Sequence, residues 1–335
     1  MRASVIIPVY NGARTISNTL SALQRQDLKR TDFEVLVVDD GSTDETARIV
    51  SGFRDILVLS QPNAGPAVAR NNGAKKAKGE IVVFLDSDCV PRNDWLTQML
   101  APFEDPAVMG CQGRYENPLP QWMARFVQLE IEERYARMAT QPRIDFVGSY
   151  SAAYRREVFL AQGGFDTGFR AASGEDPDLS FRLADKGYRL VFNSDAVVAH
   201  FHPTSLAKYW KTKFFRAYWR VRMYAKNPGK LQGDSYTNPL LKYQIILAAA
   251  AIGSTALFLI GTLVPLSIGN WYPAAFGYSA ATYLLAGFLL TIPTAAFMAR
   301  RDPVVGVLAP FVLLVNMFLF LAGLVYGYLR GVQSG

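Results

Sequence analysis

Three long segments without a charged residue fill most of the last third of the chain, and they constrain its fold more than any other feature. They cover about residues 244–266, 274–299 and 304–329. Each meets or exceeds the roughly 20 apolar residues that cross a bilayer. A helix in a soluble core can also be apolar all round, but three consecutive segments of this length indicate a membrane. The sequence therefore predicts a transmembrane region over residues 236–335.

The loops between these segments predict the orientation of the chain. Arg300 and Arg301 lie between the second and third segments, whereas the connection over residues 267–273 carries no charge. Since loops rich in Lys and Arg stay in the cytoplasm, we expect the soluble part there and the protein in the inner (plasma) membrane. Three crossings would leave the C-terminus outside. Cys89 and Cys111 predict no disulfide framework, in keeping with a reducing compartment.

The segment over residues 204–235 joins the soluble part to the apolar segments and is basic and aromatic. Its apolar residues recur at helical spacing. The apolar set is Leu206, Tyr209, Trp210, Phe214, Ala217, Val221 and Tyr224, and the basic set is Lys208, Lys211, Lys213, Arg216, Arg220, Arg222 and Lys226. We interpret the segment as an interfacial helix on an anionic leaflet, in agreement with the net charge of +7. A helix packed on the soluble domain is the alternative, and the adjacent membrane segments argue against nucleic acid as a partner.

A strand that ends in two carboxylates is the clearest sign of chemistry in the soluble part. Ile81–Leu85 is apolar, and Asp86 and Asp88 follow it. Ligands of parallel α/β sheets collect outside the carboxyl ends of the strands, so these acids are expected to face a cleft. Two carboxylates there can hold a divalent cation, which usually bridges phosphate oxygens of a substrate. Taken alone, the Asp-x-Asp pattern also occurs in ordinary surface turns.

Two further strands end in polar residues. A β-branched run precedes Tyr10 and Asn11, and a second strand precedes an acidic turn over residues 39–45. Ser42 and Glu45 predict a capping box, so that a helix N-terminus points at the same cleft. The spacing of about 30 to 45 residues between strands leaves room for crossover helices, as parallel pairing requires. The sequence therefore predicts an α/β fold with three strand ends at one edge.

Five motifs in this order resemble the GT-A-type glycosyltransferases of family 2. They are residues 5–12 (VIIPVYNG), 37–44 (VVDDGSTD), 63–71 (NAGPAVARN), 85–88 (LDSD) and 174–179 (GEDPDL). The resemblance covers roughly the first 230 residues. It implies a GT-A-like, mostly parallel sheet flanked by helices over residues 1–203, and the transfer of a sugar from a nucleotide-diphosphate donor.

The resemblance also implies a donor site at the strand ends. The residues that would contact the base, ribose or phosphates are Pro8, Tyr10, Asn11, Asp39 or Asp40, Arg70 and Asp86. Asp88 would ligate Mg²⁺ or Mn²⁺ on the diphosphate, where the cation offsets the charge of the leaving group. Two alternatives stay open: Asp39 or Asp44 could simply cap the following helix, and Arg70 could be a solvated helix residue.

On the acceptor side, the resemblance assigns the chemistry to Asp176. This carboxylate would take the proton of the acceptor hydroxyl as it attacks the anomeric carbon, and direct displacement inverts that centre. Glu175 accompanies it, while Gly148 and Ser149 would permit close approach of a sugar or phosphate. His200 could reach the metal. In the alternative, the acids only stabilise a helix N-terminus and the histidine is structural.

The leading hypothesis is an inverting, metal-dependent glycosyltransferase that acts on a membrane-associated, lipid-linked acceptor. One alternative is a processive polysaccharide synthase that exports its product. The processive branch of the family has a Gln-x-x-Arg-Trp motif in the linker, and residues 214–220 (FFRAYWR) lack this pattern. The other alternative is a degenerate membrane scaffold, which the intact Asp88 and Asp176 make less attractive.

Overall fold

Apolar, mostly β-branched runs form a single mixed sheet at the centre of the catalytic part. The computed structural model describes residues 1–169, 174–263 and 271–331. The strands are β1 (Ala3–Val9), β2 (Phe33–Asp39), β3 (Ile56–Ser60), β4 (Ile81–Leu85), β5 (Cys89–Pro91), β6 (Val108–Glu116), β7 (Ser151–Arg155) and β8 (Arg189–His200). Their order across the sheet is β3-β2-β1-β4-β7-β6-β8-β5. Four of the seven strand pairs in the described ranges are parallel, which confirms the expected α/β class.

Helices cover both faces of this sheet, because successive strand residues point to opposite sides. In β1, Val5 and Ile7 belong to one hydrophobic core, and Ile6 belongs to the other. The helices of this domain are α1 (Ile16–Leu23), α2 (Thr46–Ser51), α3 (Pro66–Lys76), α4 (Trp95–Leu100), α5 (Trp122–Met138), α6 (Arg156–Ala161) and α7 (Glu175–Asp185). With both faces covered, the ends of the strands remain for ligands.

The three strands with polar exits lie side by side. β1 pairs in parallel with β2 on one side and with β4 on the other. Their carboxyl ends therefore meet at one edge, as the sequence predicts. The predicted capping box is wrong, because α2 begins at Thr46 and the backbone N–H of Thr46 donates to Asp44 Oδ1 at 3.0 Å. Ser42 Oγ instead accepts from the backbone N–H of Asn11 at 3.0 Å.

The predicted basic helix is α8 (Leu206–Lys226), and most of its charges face the protein. Four of its basic residues bind partners within the chain. The pairs are Lys213 with Glu130 at 2.6 Å, Arg222 with Asp166 at 3.5 Å, Lys226 with Asp166, and Arg220 with Thr237 Oγ1 at 3.0 Å. These four residues make the contacts that the alternative of a helix packed on the soluble domain predicts, and the interfacial interpretation stays a prediction for the helix as a whole.

The apolar segments form α9 (Leu241–Leu263), α10 (Trp271–Leu289), α11 (Ile292–Ala299) and α12 (Pro303–Leu329). Within the described residues, three helical stretches are long and apolar enough to cross a membrane, namely Leu241–Leu263, Tyr272–Ala299 and Pro303–Leu329. This confirms the three predicted apolar segments. Most of the uncharged connection predicted at 267–273 falls within residues 264–270, which lie outside the described residues.

One end of α12 contacts the domain that contains the sheet, and the other end contacts α8, which packs on that domain. Asp302, just before its first turn, forms an ion pair with Arg125 of α5 at 3.0 Å. Near the other end, a Cβ on Gly323 would lie 2.4 Å from the carbonyl oxygen of Phe214, so glycine allows α12 to lie directly on α8. The buried residues recur on one face from end to end; they include Val305, Ala309, Val312, Asn316, Phe320, Gly323 and Gly327. α12 therefore lies along the domain.

α9 and α10 form a helical hairpin, and the C-terminal end of α10 contacts the N-terminal half of α12. Phe288, at the end of α10, packs on Phe311 of α12 with ring centroids 5.9 Å apart. At the opposite end of the hairpin, Tyr272 donates a hydrogen bond to the carbonyl oxygen of Gly261 at 3.2 Å. Large apolar side chains such as Leu263 are exposed there. This hairpin presents the lipid-exposed surface that a membrane anchor needs.

Candidate active site

The carboxyl ends of β1, β2 and β4 border a cleft of about 390 Å³, a volume within the range of small-molecule sites. The loops after the strands and the start of α3 form its walls. The predicted donor residues that line it are Pro8, Tyr10, Asp40, Arg70, Asp86 and Asp88. Asn63 and Pro66 line it as well. The arrangement brings three carboxylates and one guanidinium group to the same space.

Asn11 and Asp39 do not line this cleft, although the resemblance implies that they could. Asn11 has a left-handed backbone with φ of 51°, and its Oδ1 accepts from the backbone N–H of Thr43 at 2.8 Å. Asp39 Oδ1 accepts from the backbone N–H of Ser42 at 2.9 Å. Both side chains hold the loops together. The alternative that Asp39 serves local structure is therefore the one that its contacts favour.

Asp40 is the acid of this pair that reaches the cleft, and it also shapes the cleft wall. Its Oδ1 accepts from Gln61 Nε2 at 2.6 Å and from the backbone N–H of Ala64 at 2.9 Å, and its Oδ2 accepts from the N–H of Gly65 at 2.9 Å. Gly65 has φ of 93°, a backbone conformation that favours glycine. Asp40 therefore fixes the tight turn that starts α3.

Arg70 connects the cleft to the acceptor side. Its guanidinium group is 2.8 Å from Asp86 Oδ1 and 3.1 Å from Glu175 Oε1, and the side chain is buried. Burial alone would lower the pKa of this arginine, but Asp86, Asp176 and Glu175 raise it above its ordinary value. The alternative of a solvated helix residue is therefore wrong. One buried cation fixes the donor strand and the first turn of α7 relative to each other.

Asp176 faces a second cavity of about 110 Å³ on the far side of this ion pair. Gly148 lines the same cavity, while Ser149 is buried. Asp176 Oδ1 is buried without a hydrogen-bond partner in the described part of the chain. Burial, and then the Glu175 carboxylate, raise the pKa of Asp176 to about 7. A carboxyl with this pKa and a free oxygen can accept a proton near neutral pH.

A chain of hydrogen bonds sets the tautomer of His200. Gln128 Nε2 donates to the carbonyl oxygen of Tyr115 at 3.0 Å, so its Oε1 accepts from His202 Nε2 at 2.8 Å. Burial and His200 lower the pKa of His202 to about 3, so this ring is neutral and its Nδ1 accepts from His200 Nδ1 at 3.0 Å. His200 Nε2 lies 3.6 Å from Asp88 Oδ2.

Asp88 and His200 are suitable partners for a metal that arrives with phosphates. Among the described residues, no group of three His, Cys, Asp or Glu side chains forms a complete metal site. Mg²⁺ in phosphate-transfer sites needs only one or two protein carboxylates, because substrate oxygens and water supply the remaining ligands. The donor set therefore fits a divalent ion on a nucleotide diphosphate. The second nitrogen of His200 is oriented by His202, as is usual for ligating histidines.

Sequence analysis missed four residues that surround the acceptor side. Arg134, Arg216, Arg220 and Tyr236 line the cavity of Asp176 and also line a neighbouring cavity. Arg216 and Arg220 were expected at a leaflet, because a basic helix surface has the same pattern whichever way it faces. Arg134 lies on α5, about 80 residues from α8, so its proximity results from the fold.

Comparison with known proteins agrees with this geometry. Residues 4–163 match the family model described as glycosyl transferase family 2. The chain belongs to glycosyltransferase family 2. It is 33% identical over 268 residues to the pre-mycofactocin glycosyltransferase of Mycobacterium tuberculosis, with coverage of 77% of this chain and 53% of that relative. It is 26% identical over 245 residues to the glucosyl-dolichyl phosphate glucuronosyltransferase of Haloferax volcanii, with coverage of 66% and 75%.

The chain spans about half the length of the first of these family 2 relatives. Among solved structures, the mannosyltransferase PcManGT of Pyrobaculum calidifontis, in complex with GDP-Man and Mn²⁺, superposes with a TM-score of 0.63. The two chains are 25% identical, and the match covers 98% of this chain and 87% of the other. The GT-A-like fold is therefore confirmed. The motif at residues 174–179 lies beyond the family match. The ion pair of Arg70 with Glu175 connects it to the cleft within the family match.

Arg70→Met tests the connection between the two halves of this family 2 site. Methionine keeps an unbranched aliphatic chain like that of arginine, but it leaves the buried Glu175 carboxylate without this cation. We expect a loss of about 3–5 kcal/mol in the free energy of unfolding, as for other buried pairs that lose one partner. Denaturant unfolding in detergent would measure it. Arg48→Met is the control, because the ion pair of Arg48 with Glu45 is exposed. An equal, small effect of both substitutions would contradict the assignment.

Proposed function

We propose that the protein is an inverting, metal-dependent glycosyltransferase that moves a sugar from a nucleotide-diphosphate donor to a lipid-linked acceptor. The observation that carries this proposal is the position of Arg70 between Asp86 of the donor cleft and Glu175, the residue before Asp176. The GDP-Man and Mn²⁺ bound to the mannosyltransferase neighbour support a nucleotide-sugar donor and a divalent cation.

In this mechanism the donor cleft holds the nucleotide. Pro8 and Tyr10 border the base and ribose, with Asp40 at the same wall. Asp88 and His200 would hold Mg²⁺ or Mn²⁺ on the diphosphate. When bound, the cation stabilises the negative charge that develops on the leaving nucleotide. Asp86 remains paired with Arg70, and the two side chains line the cleft on the side of the sugar.

Asp176 acts as the general base on the acceptor hydroxyl. It is suited to this role because Asp176 lines the second cavity and its buried Oδ1 has no hydrogen-bond partner among the described residues. Glu175 is bound to Arg70 and buried, so it is not placed to attack the sugar as a nucleophile. Direct attack by the acceptor therefore inverts the anomeric centre. A positioned base of this kind contributes about 10² to 10⁴ in rate.

The acceptor is lipid-linked in this proposal because the second cavity lies next to the apolar helices. A cavity that shares four residues with it is lined by Leu241 of α9 and by Leu313 and Phe320 of α12. A relative that acts on a glucosyl-dolichyl phosphate supports the same class of acceptor. Transfer of a single sugar remains favoured over processive synthesis by the linker sequence.

Asp88→Asn tests the metal assignment. The substitution removes one charge and one ligand, so Mn²⁺-dependent binding of UDP or GDP should weaken by about tenfold or more. Calorimetry with and without Mn²⁺ measures this effect. Asp94→Asn, at an exposed position outside the cleft, should leave the affinity unchanged. Metal-dependent affinity that survives in Asp88→Asn would remove Asp88 from the site.

Asp176→Asn tests the base. Nucleotide affinity should stay within about threefold, while the single-turnover transfer rate should fall by about 10² or more. Because the pKa of Asp176 is raised to about 7, the wild-type rate should increase as the pH rises through 7, and the variant should lose this dependence. Asp178→Asn removes a charge from the same helical turn, but Asp178 pairs with Arg182 at 3.0 Å. Equal rates in the two variants would indicate a helix-terminus effect.

For localisation, we propose that the catalytic domain is cytoplasmic, at the inner membrane. Arg300 and Arg301 favour the cytoplasm for the loop before α12. The ion pair of Arg125 with Asp302 supports the same side for the catalytic domain. Since one end of α12 contacts that domain and the other end contacts α8, we further propose that the α9 hairpin crosses the bilayer and that α12 lies along the domain at the membrane surface. The C-terminal end of α12 is then cytoplasmic, unlike in the three-crossing arrangement.

Single cysteines test this topology. Cys89 and Cys111 are buried, so background labelling by an impermeant maleimide should be low. In intact cells we expect labelling of Leu263→Cys but not of Arg300→Cys, which should react only after permeabilisation. Tyr328→Cys decides the position of α12, because it should behave like Arg300→Cys. Labelling of Tyr328→Cys from outside intact cells would restore three crossings.

A further inference from the structure

Three arginines near the proposed base lack an acidic partner. Within residues 1–169, 174–263 and 271–331, no carboxylate lies within 4.0 Å of Arg134, Arg216 or Arg220, as judged by the ion pairs of these ranges. Arg134 Nε is buried without a hydrogen-bond partner, and its guanidinium carbon lies 3.8 Å from the centroid of the Tyr236 ring. Arg220 is buried and donates at 3.0 Å to two neutral oxygens, Tyr224 Oη and Thr237 Oγ1.

Two acids near these arginines already have other partners. Glu130 Oε1 is 2.6 Å from Lys213 Nζ, and Glu133 is 3.5 Å from Arg137. A third acid, Asp234, acts on Arg220 from outside the cavity lining and accepts from the backbone N–H of Tyr236 at 2.8 Å. Among the described residues, the cavity at the base of α9 is lined by five basic side chains and by Glu130 and Glu133. Placing uncompensated charge in a protein interior is costly, so a site built in this way favours an anionic ligand.

The positive charges of these arginines also affect the ionisation of Tyr236, which lines the same cavity. Burial raises the pKa of its phenol, but Arg134, Arg216 and Arg220 outweigh that effect and lower the pKa to about 7. The three guanidinium groups therefore all act electrostatically on the same phenol. An arginine presents several N–H donors in a planar fork that matches phosphate oxygens.

These residues lie between the base and the membrane helices. Arg134, Arg216, Arg220 and Tyr236 line both the cavity that contains Asp176 and the cavity that reaches α9 and α12. A ligand that presents a hydroxyl to Asp176 and a hydrocarbon chain to these helices must pass the arginines. The point of passage is where a phosphate would lie in a prenyl-phosphate-linked molecule.

We propose that Arg134, Arg216 and Arg220 bind the phosphate or diphosphate group of the lipid-linked acceptor. This inference rests on the proposed function, because it identifies the headgroup chemistry of that acceptor. It also assigns the cavity a role that is independent of the nucleotide. In the proposed function the donor diphosphate binds in the other cleft, which Asp88 lines.

Binding of prenyl compounds to the full-length protein in phosphatidylcholine nanodiscs tests the proposal. Farnesyl phosphate or farnesyl diphosphate should bind, and farnesol should bind at least about tenfold more weakly, since it lacks the charged group. Arg134→Gln and Arg216→Gln should each weaken the binding of the charged probes by about tenfold or more. Lys211→Gln removes a charge from an exposed position on α8 and should change this affinity less than about twofold.

Three results would overturn the proposal. The first is unchanged binding of both prenyl phosphates by Arg134→Gln and Arg216→Gln, provided that their melting temperatures match the wild type. The second is equally tight binding of inorganic phosphate alone, or equal displacement by phosphatidylglycerol, because either would indicate a general anion or lipid surface. The third is loss of UDP and GDP binding in the same variants, which would assign the arginines to the donor.

A separate measurement distinguishes failure of this inference from failure of the proposed function. If the wild type binds prenyl phosphates through the arginines but transfers no sugar from UDP- or GDP-sugars with Mn²⁺, the proposed transfer is wrong and the anion site stands. Arg216→Lys keeps the charge but not the planar fork, so it should recover part of the binding lost in Arg216→Gln.

Discussion

The buried guanidinium group of Arg70 holds the site together, because it binds one acid from each half. Asp86 follows a central strand of the sheet, and Glu175 begins a helix about 90 residues later. The buried Glu175 carboxylate would be unstable in this interior without a cation nearby. The same cation lies close enough to Asp176 to oppose the rise of its pKa. One interaction therefore positions the donor acid, the acceptor helix and the proposed base.

Helices α11 and α12 share a hydrophobic core with the domain that contains the sheet. The hydrophobic core on one face of the sheet includes Phe84 and Phe126 and continues into Ala295, Met298 and Val305 of α11 and α12. Burial of this apolar surface stabilises the domain and the anchor together. As a consequence, the wall of the cavity next to that of Asp176 comes from both. In the proposed function, a lipid-linked acceptor would reach Asp176 without leaving the membrane surface.

Charge is distributed differently on the two sides of the site. The donor cleft contains carboxylates that suit a cation and its phosphates, whereas the acceptor side contains arginines without acidic partners. A chain of hydrogen bonds through His202 orients His200, whose Nε2 lies 3.6 Å from Asp88 Oδ2. Because each side favours a different ionic group, the donor and the acceptor of the proposed reaction would each bind preferentially on one side. This separation is an electrostatic property of the fold as a whole.

The sequence by itself determined the α/β class, the three adjacent strand ends, the acids at the cleft and the three apolar segments, because each depends on a local pattern of polarity. It could not decide between Asp39 and Asp40, since both follow the same strand and only packing turns one of them into the cleft. It also could not place Arg216 or the ends of α12. A helix has the same periodicity whether it faces lipid or protein. The tertiary structure decided these points, because contacts between residues far apart in the chain select the buried face.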